Sequence, residues 1–108
     1  MALTRSFKDT VKARAERDPA FRAALLQEAI ETMLSGDFET GKAILRDYVN
    51  ATVGFETLAL ETKKSPKSLM RMLSPTGNPR AENLFDMIAC LQEREGVRFE
   101  MKRAKAGV

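Results

Sequence analysis

The sequence predicts an all-α fold, a bundle of five to six helices that contains a helix-turn-helix. Apolar residues recur at spacings of three and four along most of the chain, which is the pattern of amphipathic helices. Helix starts are marked where a capping residue is followed by proline. Four such pairs occur. Ser74–Pro75 is assigned to a loop, and the other three predict helix starts: Asp18–Pro19, Ser65–Pro66 and Asn78–Pro79. A length of 108 residues suits one domain with one modest core.

The first 53 residues predict three helices. The first runs from Thr4 to Arg17, with a narrow apolar stripe of Phe7, Val11 and Ala15. The second begins at Pro19 and ends at Gly36, after which Asp37 caps the third. The wider stripes of these two helices comprise Phe21, Leu25, Leu26, Ala29, Ile30, Met33 and Leu34, then Phe38, Ile44, Leu45, Tyr48 and Val49. The third helix is expected to turn Glu39, Lys42, Arg46 and Asp47 toward water.

Two short helices follow the break at Gly54. They are predicted over Phe55–Thr62 and from Pro66 to about Leu73, with Lys63 and Lys64 between them. A sixth helix is expected to begin at the Asn78–Pro79 pair, to bury Leu84, Met87, Ile88 and Leu91, and to end near Gly96. Residues 54–95 therefore form a helix-turn-helix core, preceded by a helical extension over residues 1–53.

The period changes after Gly96. Val97, Phe99 and Met101 alternate with charged residues, which is typical of a half-buried strand. One strand has no partner in a helical chain. It could pair across a dimer or with another protein, or the segment could be an irregular tail whose apolar residues enter the core. We favour pairing, and expect residues 97–108 to be a short strand or a basic tail.

Composition argues against several classes of function. The chain has no histidine and a single cysteine, Cys90, so zinc-finger ligation and a Cys–His nucleophile pair are ruled out. We expect no enzyme, no metal and no cofactor. Apolar runs are too short to span a membrane, and the N-terminus is charged too early for a signal peptide. With one cysteine, this favours a cytoplasmic protein.

The positive charge is concentrated in the second half of the chain. Residues 1–53 hold eight basic and eight acidic side chains, whereas residues 54–108 hold ten basic and seven acidic. Between Thr62 and Ala81 there is no acidic residue at all. The basic residues of this window, which we call the acid-free window, are Lys63, Lys64, Lys67, Arg71 and Arg80. Such asymmetry indicates an anionic partner, and phosphate would repel carboxylates from the surface that contacts it.

The acid-free window overlaps a helix-turn-helix pattern over residues 55–74. Ala59 is the small residue where the second helix must cross the first closely, and Leu58, Leu69 and Met72 lock the pair together. Lys63 stands in the turn where glycine is usual. It would have to accept a strained or left-handed backbone there.

The stretch from Ala51 through Leu91 resembles HigA-type antitoxins, the addiction module antidotes of the wider Xre/Cro-like repressor group. The resemblance is carried by the Ser-x-x-Ser-Leu-x-Arg-x-Leu helix from Ser65 to Leu73 and by the Ser-Pro-x-Gly-Asn-Pro loop from Ser74 to Pro79. It covers the C-terminal half strongly and the first fifty residues loosely. It implies a dimeric operator-binding repressor that neutralises a small RelE/ParE-like toxin encoded beside it.

The resemblance also implies which residues meet DNA. The groove-facing positions fall on Ser65, Lys67, Ser68 and Arg71, with Met70 at the edge. Arg71 would be the bidentate reader of guanine, and Lys67 would reach a base or a phosphate. The expected backbone contacts are Lys64, Thr57, Asn78 and Arg80.

Simpler interpretations accompany these assignments. A basic helix face is often only a solvated surface, Ser65 is an N-cap with or without DNA, and Asn78 is expected to cap the sixth helix ahead of any phosphate contact. Two alternative functions remain: a phage-type or host repressor without a toxin, and a helical interaction module whose basic surface binds an acidic protein. The acid-free window favours DNA, because a protein-binding surface has no reason to exclude carboxylates over some twenty consecutive residues.

Overall fold

The computed structural model describes residues 5–105, with side chains from residue 8 onward. All regular secondary structure in this range is helical, in six elements. The helices are α1 (Arg5–Arg17), α2 (Pro19–Leu34), α3 (Phe38–Ala51), α4 (Phe55–Thr62), α5 (Pro66–Met72) and α6 (Ala81–Glu95). The all-α prediction is confirmed. The predicted start at Thr4, the side chain of Phe7 and the end of the basic tail lie outside the described residues.

Two of the three cap-and-proline signals mark true helix starts. The Asp18 carboxylate accepts a hydrogen bond from the Phe21 amide at 3.1 Å, and α2 begins at Pro19. The Ser65 hydroxyl accepts one from the Ser68 amide at 3.1 Å, and α5 begins at Pro66. Each cap satisfies an amide that the first helical turn leaves without a partner.

The prediction for the third signal is wrong. Helix α6 begins at Ala81, two residues after Pro79, and its cap residue is Arg80, whose side chain makes no capping bond. Asn78 is exposed and does not cap the helix. The carbonyl of Gly77 is bound by Lys42 of α3, and residues 78–80 connect this contact to α6.

One hydrophobic core joins both halves of the chain. Residues from α2 to α6 contribute fully buried side chains to it, among them Leu26, Leu45, Tyr48, Leu58, Leu69, Leu73, Met87 and Leu91. Helices α2 and α3 pack closely at Gly41, where a Cβ atom would approach the carbonyl oxygen of Ala29 to 2.9 Å. Most of the predicted apolar stripes are confirmed, but Leu34 at the end of α2 is exposed.

The predicted outer face of α3 is partly wrong. Lys42 is 1% exposed, and Arg46 is half-buried, whereas Glu39 faces water as expected. Both cations turn toward the loop after α5, which covers them. The helical period of α3 cannot reveal this, since the covering residues lie about 30 positions further along the chain.

The segment after α6 is not a strand within the described residues. The amides of Val97 and Phe99 both bond to Gln92, one to its backbone oxygen at 3.1 Å and the other to its side-chain Oε1 at 2.8 Å. Phe99 packs against the core and Met101 is exposed. The second alternative, an irregular tail with an apolar residue entering the core, is therefore the one observed. Gln92 takes the hydrogen bonds that a partner strand would have supplied.

Among the described helices, none has both the length and the apolar composition needed to cross a membrane.

Candidate nucleic-acid interface

Helices α4 and α5 form a helical hairpin with a left-handed turn. Lys63, the C-cap of α4, has φ 58° and ψ 38°, the positive φ that the sequence predicted for a lysine at this position. Its amide donates to the carbonyl of Ala59, as does the amide of Lys64 at 3.1 Å. Because the αL conformation closes the helix end, the chain can turn between the end of α4 at Thr62 and the cap of α5 at Ser65.

The hairpin packs through its small and apolar residues, as predicted. Leu58 and Leu69 are completely buried, and Ala59 is nearly so. Met72 is half-buried against the same core. This packing fixes which side of α5 faces away from the protein.

The outward side of α5 is basic and unpaired. Lys67 and Arg71, four residues apart on one face, are both exposed, and Met70 beside them is 48% exposed. Ser68 is half-exposed and Ser65 lies exposed at the start of the helix. No carboxylate pairs with Lys67 or Arg71 anywhere in residues 5–105. Both cations are therefore available to an anionic ligand.

The predicted backbone contacts are spread over α4 and the loop before α6. Lys64 is partly buried and lies 3.9 Å from the Asp86 carboxylate, so its charge is shared with α6. Thr57 is half-buried on α4. Asn78 and Arg80 are exposed on either side of Pro79, and Arg80 has no ion pair in the part of the chain described. The four residues predicted to face the groove thus lie on α5 or at its N-cap. The other four lie on α4, in the turn after it and in the loop before α6.

The loop of residues 74–79 is held by α3, through residues that the sequence analysis assigned to the surface. The Lys42 ammonium donates to the Gly77 carbonyl at 2.6 Å and forms an ion pair with Glu39 at 3.0 Å. Arg46 donates to the carbonyl of Leu73, the C-cap of α5, at 3.2 Å. No local pattern in the sequence signals these bonds.

Gly77 lies directly against the last turn of α5. A Cβ atom there would collide with the carbonyl oxygen of Arg71 and approach that of Met72 to 2.7 Å. The glycine of the Ser-Pro-x-Gly-Asn-Pro loop is therefore required by close approach of two backbone segments. The hydroxyl of Ser74 donates to the Arg71 carbonyl at 2.8 Å, which also closes the helix end.

A buried carboxylate joins α6 to the N-terminal helices. Glu95, whose side chain is 6% exposed, accepts hydrogen bonds from Arg22 at 3.0 Å and from the Tyr48 hydroxyl at 2.6 Å. Arg22 also donates to the carbonyl of Ala15 at 2.6 Å. Burial, together with the bond to Glu95, raises the pKa of Tyr48 well above its ordinary range.

A second polar cluster joins α4 to α6. The Glu61 carboxylate pairs with Arg94 and accepts a hydrogen bond from the Cys90 thiol at 2.8 Å. Burial and this bond raise the pKa of Cys90 to about 12, while the thiol bond holds the pKa of Glu61 below its usual value. Together with the pair between Lys64 and Asp86, this cluster ties the end of α4 and the turn after it to α6.

Comparison with protein-family profiles, with curated proteins and with solved structures finds no match to this chain. The resemblance to HigA-type antitoxins therefore rests on the motifs from Ser65 to Pro79.

Proposed function

We propose that the chain is a sequence-specific regulator that binds double-stranded DNA through α5. The observation that carries the proposal is the outward face of α5, where Lys67 and Arg71 are exposed and unpaired within the described chain, in a window without acidic residues. A short helix with such a face, set on a preceding helix by a tight turn, suits the major groove.

The proposed roles follow from side-chain chemistry. Arg71 can offer two parallel N–H donors to the O6 and N7 atoms of guanine, which few other side chains can do. Lys67 reaches a base edge or a phosphate. The Ser65 hydroxyl oxygen accepts the hydrogen bond that caps α5, so the hydroxyl can still donate its proton to a phosphate oxygen. Lys64, Thr57, Asn78 and Arg80 would contact the sugar–phosphate backbone and set the register.

The proposal also includes two partners, a second copy of the chain and a toxin. One seven-residue helix covers few base pairs, so selectivity calls for a homodimer on a pseudo-palindromic site. The resemblance to HigA-type antitoxins supports a toxin–antitoxin role, in which the protein represses its own operon and neutralises a RelE/ParE-like toxin. A small toxin-type reading frame beside the gene would separate this role from that of a repressor without a toxin.

The binding experiment starts from a duplex that the protein itself selects from a random library. We expect enrichment of a two-fold symmetric sequence, and a plot of log K against log salt with a slope of magnitude roughly 5–9, if the five cations of the acid-free window meet phosphate in both subunits. No enrichment, or a slope near zero, would contradict DNA binding. Salt-sensitive binding to an acidic protein alone would favour an interaction module.

Arg71 and Lys64 separate base reading from backbone contact. Arg71→Ala should cost about 1–3 kcal/mol on the selected duplex and little on a scrambled one, while Lys64→Ala should weaken both about equally. Titrations on the two duplexes measure this. Arg17→Ala, which removes an exposed arginine from α1, is the charge-matched control and should change neither affinity. Equal reductions in affinity for Arg71→Ala on both duplexes would remove it as a base reader.

A further inference from the structure

Lys42 is the most deeply buried charged residue in the described part of the chain. Its ammonium contacts the Gly77 carbonyl, the Glu39 carboxylate and, at 5.5 Å from the ring centroid, the face of Phe38. Burying a lysine is costly unless its charge is well compensated. A methionine would fill similar space at a lower free-energy cost of burial. We therefore attribute the lysine at this position to the groups that its ammonium binds.

The ammonium binds the loop that closes the recognition helix. Gly77 is pressed against the carbonyl oxygens of Arg71 and Met72, so fixing its carbonyl also fixes the last turn of α5. Arg46, one turn after Lys42 on α3, bonds to the carbonyl of Leu73 at the same end. Two cations at a helix C-terminus also interact favourably with its partial negative charge.

A helix of seven residues does not set its own direction. It is too short to be stable alone, and its axis is defined by what holds each end. The left-handed turn at Lys63 holds the start of α5, and the two cations of α3 hold its end.

We infer that Lys42, assisted by Arg46, is a positioning residue that sets the angle at which α5 meets DNA, without contacting DNA itself. This inference rests on the proposed function. It assigns to α3, in the N-terminal extension, a part in sequence selectivity, because a hydrogen bond to a base edge breaks when its helix is tilted, whereas a hydrogen bond to a phosphate adapts.

The test compares Lys42→Met with Lys12→Met, which removes an exposed lysine from α1 and changes net charge equally. For Lys42→Met we expect affinity for the selected duplex to fall roughly tenfold, as for one misplaced bidentate contact. Affinity for a scrambled duplex and the salt slope should stay as in the wild type. Lys12→Met should behave as the wild type on both duplexes.

Amide hydrogen exchange measures the opening of the loop directly, in the absence of DNA. In Lys42→Met the amides of Ser74 and Gly77, bonded to the carbonyls of Arg71 and Ser74, should exchange faster, while the Arg22 amide at the start of α2 should not. If Lys42→Met fails to fold, Arg46→Met removes the second bond to the same end and should give the same pattern more weakly.

Three results would overturn the inference. Unchanged exchange at Ser74 and Gly77 would show that Lys42 does not hold the loop. Equal reductions in affinity on both duplexes, with a salt slope of smaller magnitude, would show that Lys42 contacts a phosphate. Faster amide exchange with unchanged affinity would show that the loop does not affect how α5 recognises DNA. If the wild type selects no duplex, the proposed function fails, and with it the link to DNA, while exchange still decides whether Lys42 holds the loop.

Discussion

Helices α2 and α3 differ from α4 and α5 in length, charge and support. The first pair has 16 and 14 residues, packs closely at Gly41, and belongs to a half of the chain with balanced charge. The second pair has eight and seven residues, and its second helix lies inside the acid-free window. Helices that short are unstable alone, so the second pair depends on the core and on α3. Helices α2 and α3 supply stability, and α4 and α5, which depend on it, present the exposed charges.

The largest expected effect tests whether the two pairs unfold together. Leu45 in α3 and Leu69 in α5 are both fully buried in the shared core. Changing either to alanine should lower the free energy of unfolding by about 2–5 kcal/mol, because each leaves a cavity. Urea denaturation measures both decreases. A cost below about 1 kcal/mol for Leu69→Ala alone would show that α5 contributes little to the common core.

A smaller effect is expected where the two regions meet. Gly77→Ala places a methyl group against the last carbonyls of α5, which should lower the free energy of unfolding by about 1–3 kcal/mol through forced backbone movement. Asn78→Ala, at the next and exposed position, should stay within about 0.5 kcal/mol of the wild type. Thermal unfolding of the two variants checks this. Equal stability for both would mean that the loop yields without strain.

The smallest effect should have the opposite sign. Lys63→Gly removes the backbone strain of a lysine in the left-handed region and should raise the free energy of unfolding by about 1 kcal/mol. Lys63→Ala keeps the strained backbone, so its stability should match the wild type. Both variants remove the same charge, so the magnitude of the salt slope of DNA binding should fall equally in both, by about 2 for a homodimer in which each Lys63 meets one phosphate. A glycine variant no more stable than the alanine variant would contradict strain at the turn.

Local signals in the sequence predicted the helices well. Asp18 and Ser65 cap their helices because a cap depends on residues three positions away. Lys42 failed as a surface residue because it contacts the loop after α5, 35 residues away, which no helical period encodes. Asn78 failed as a cap: α6 begins at Ala81, with Arg80 in the cap position.

The strand predicted after Gly96 does not form within the described residues, and the reason is local. The alternation at Val97, Phe99 and Met101 predicted a strand, but a side-chain amide, that of Gln92, satisfied the backbone instead. Of the candidate interface, the exposed basic face of α5 was predictable from residue type and spacing. The contacts that hold the end of α5 were not predictable, since Arg46 bonds to a carbonyl 27 positions further along the chain.

The bonds to Glu95 limit how this protein can be cut or recombined. Both donors to its buried carboxylate, Arg22 and Tyr48, come from helices that precede the helix-turn-helix. A fragment of residues 54–108 would lose both donors together with Leu26, Leu45 and Val49, the side chains that α2 and α3 contribute to the shared core. Helix α5 is therefore not a portable module. A chimaera designed to alter the proposed DNA recognition should replace residues on the face of α5 and leave α2 and α3 attached.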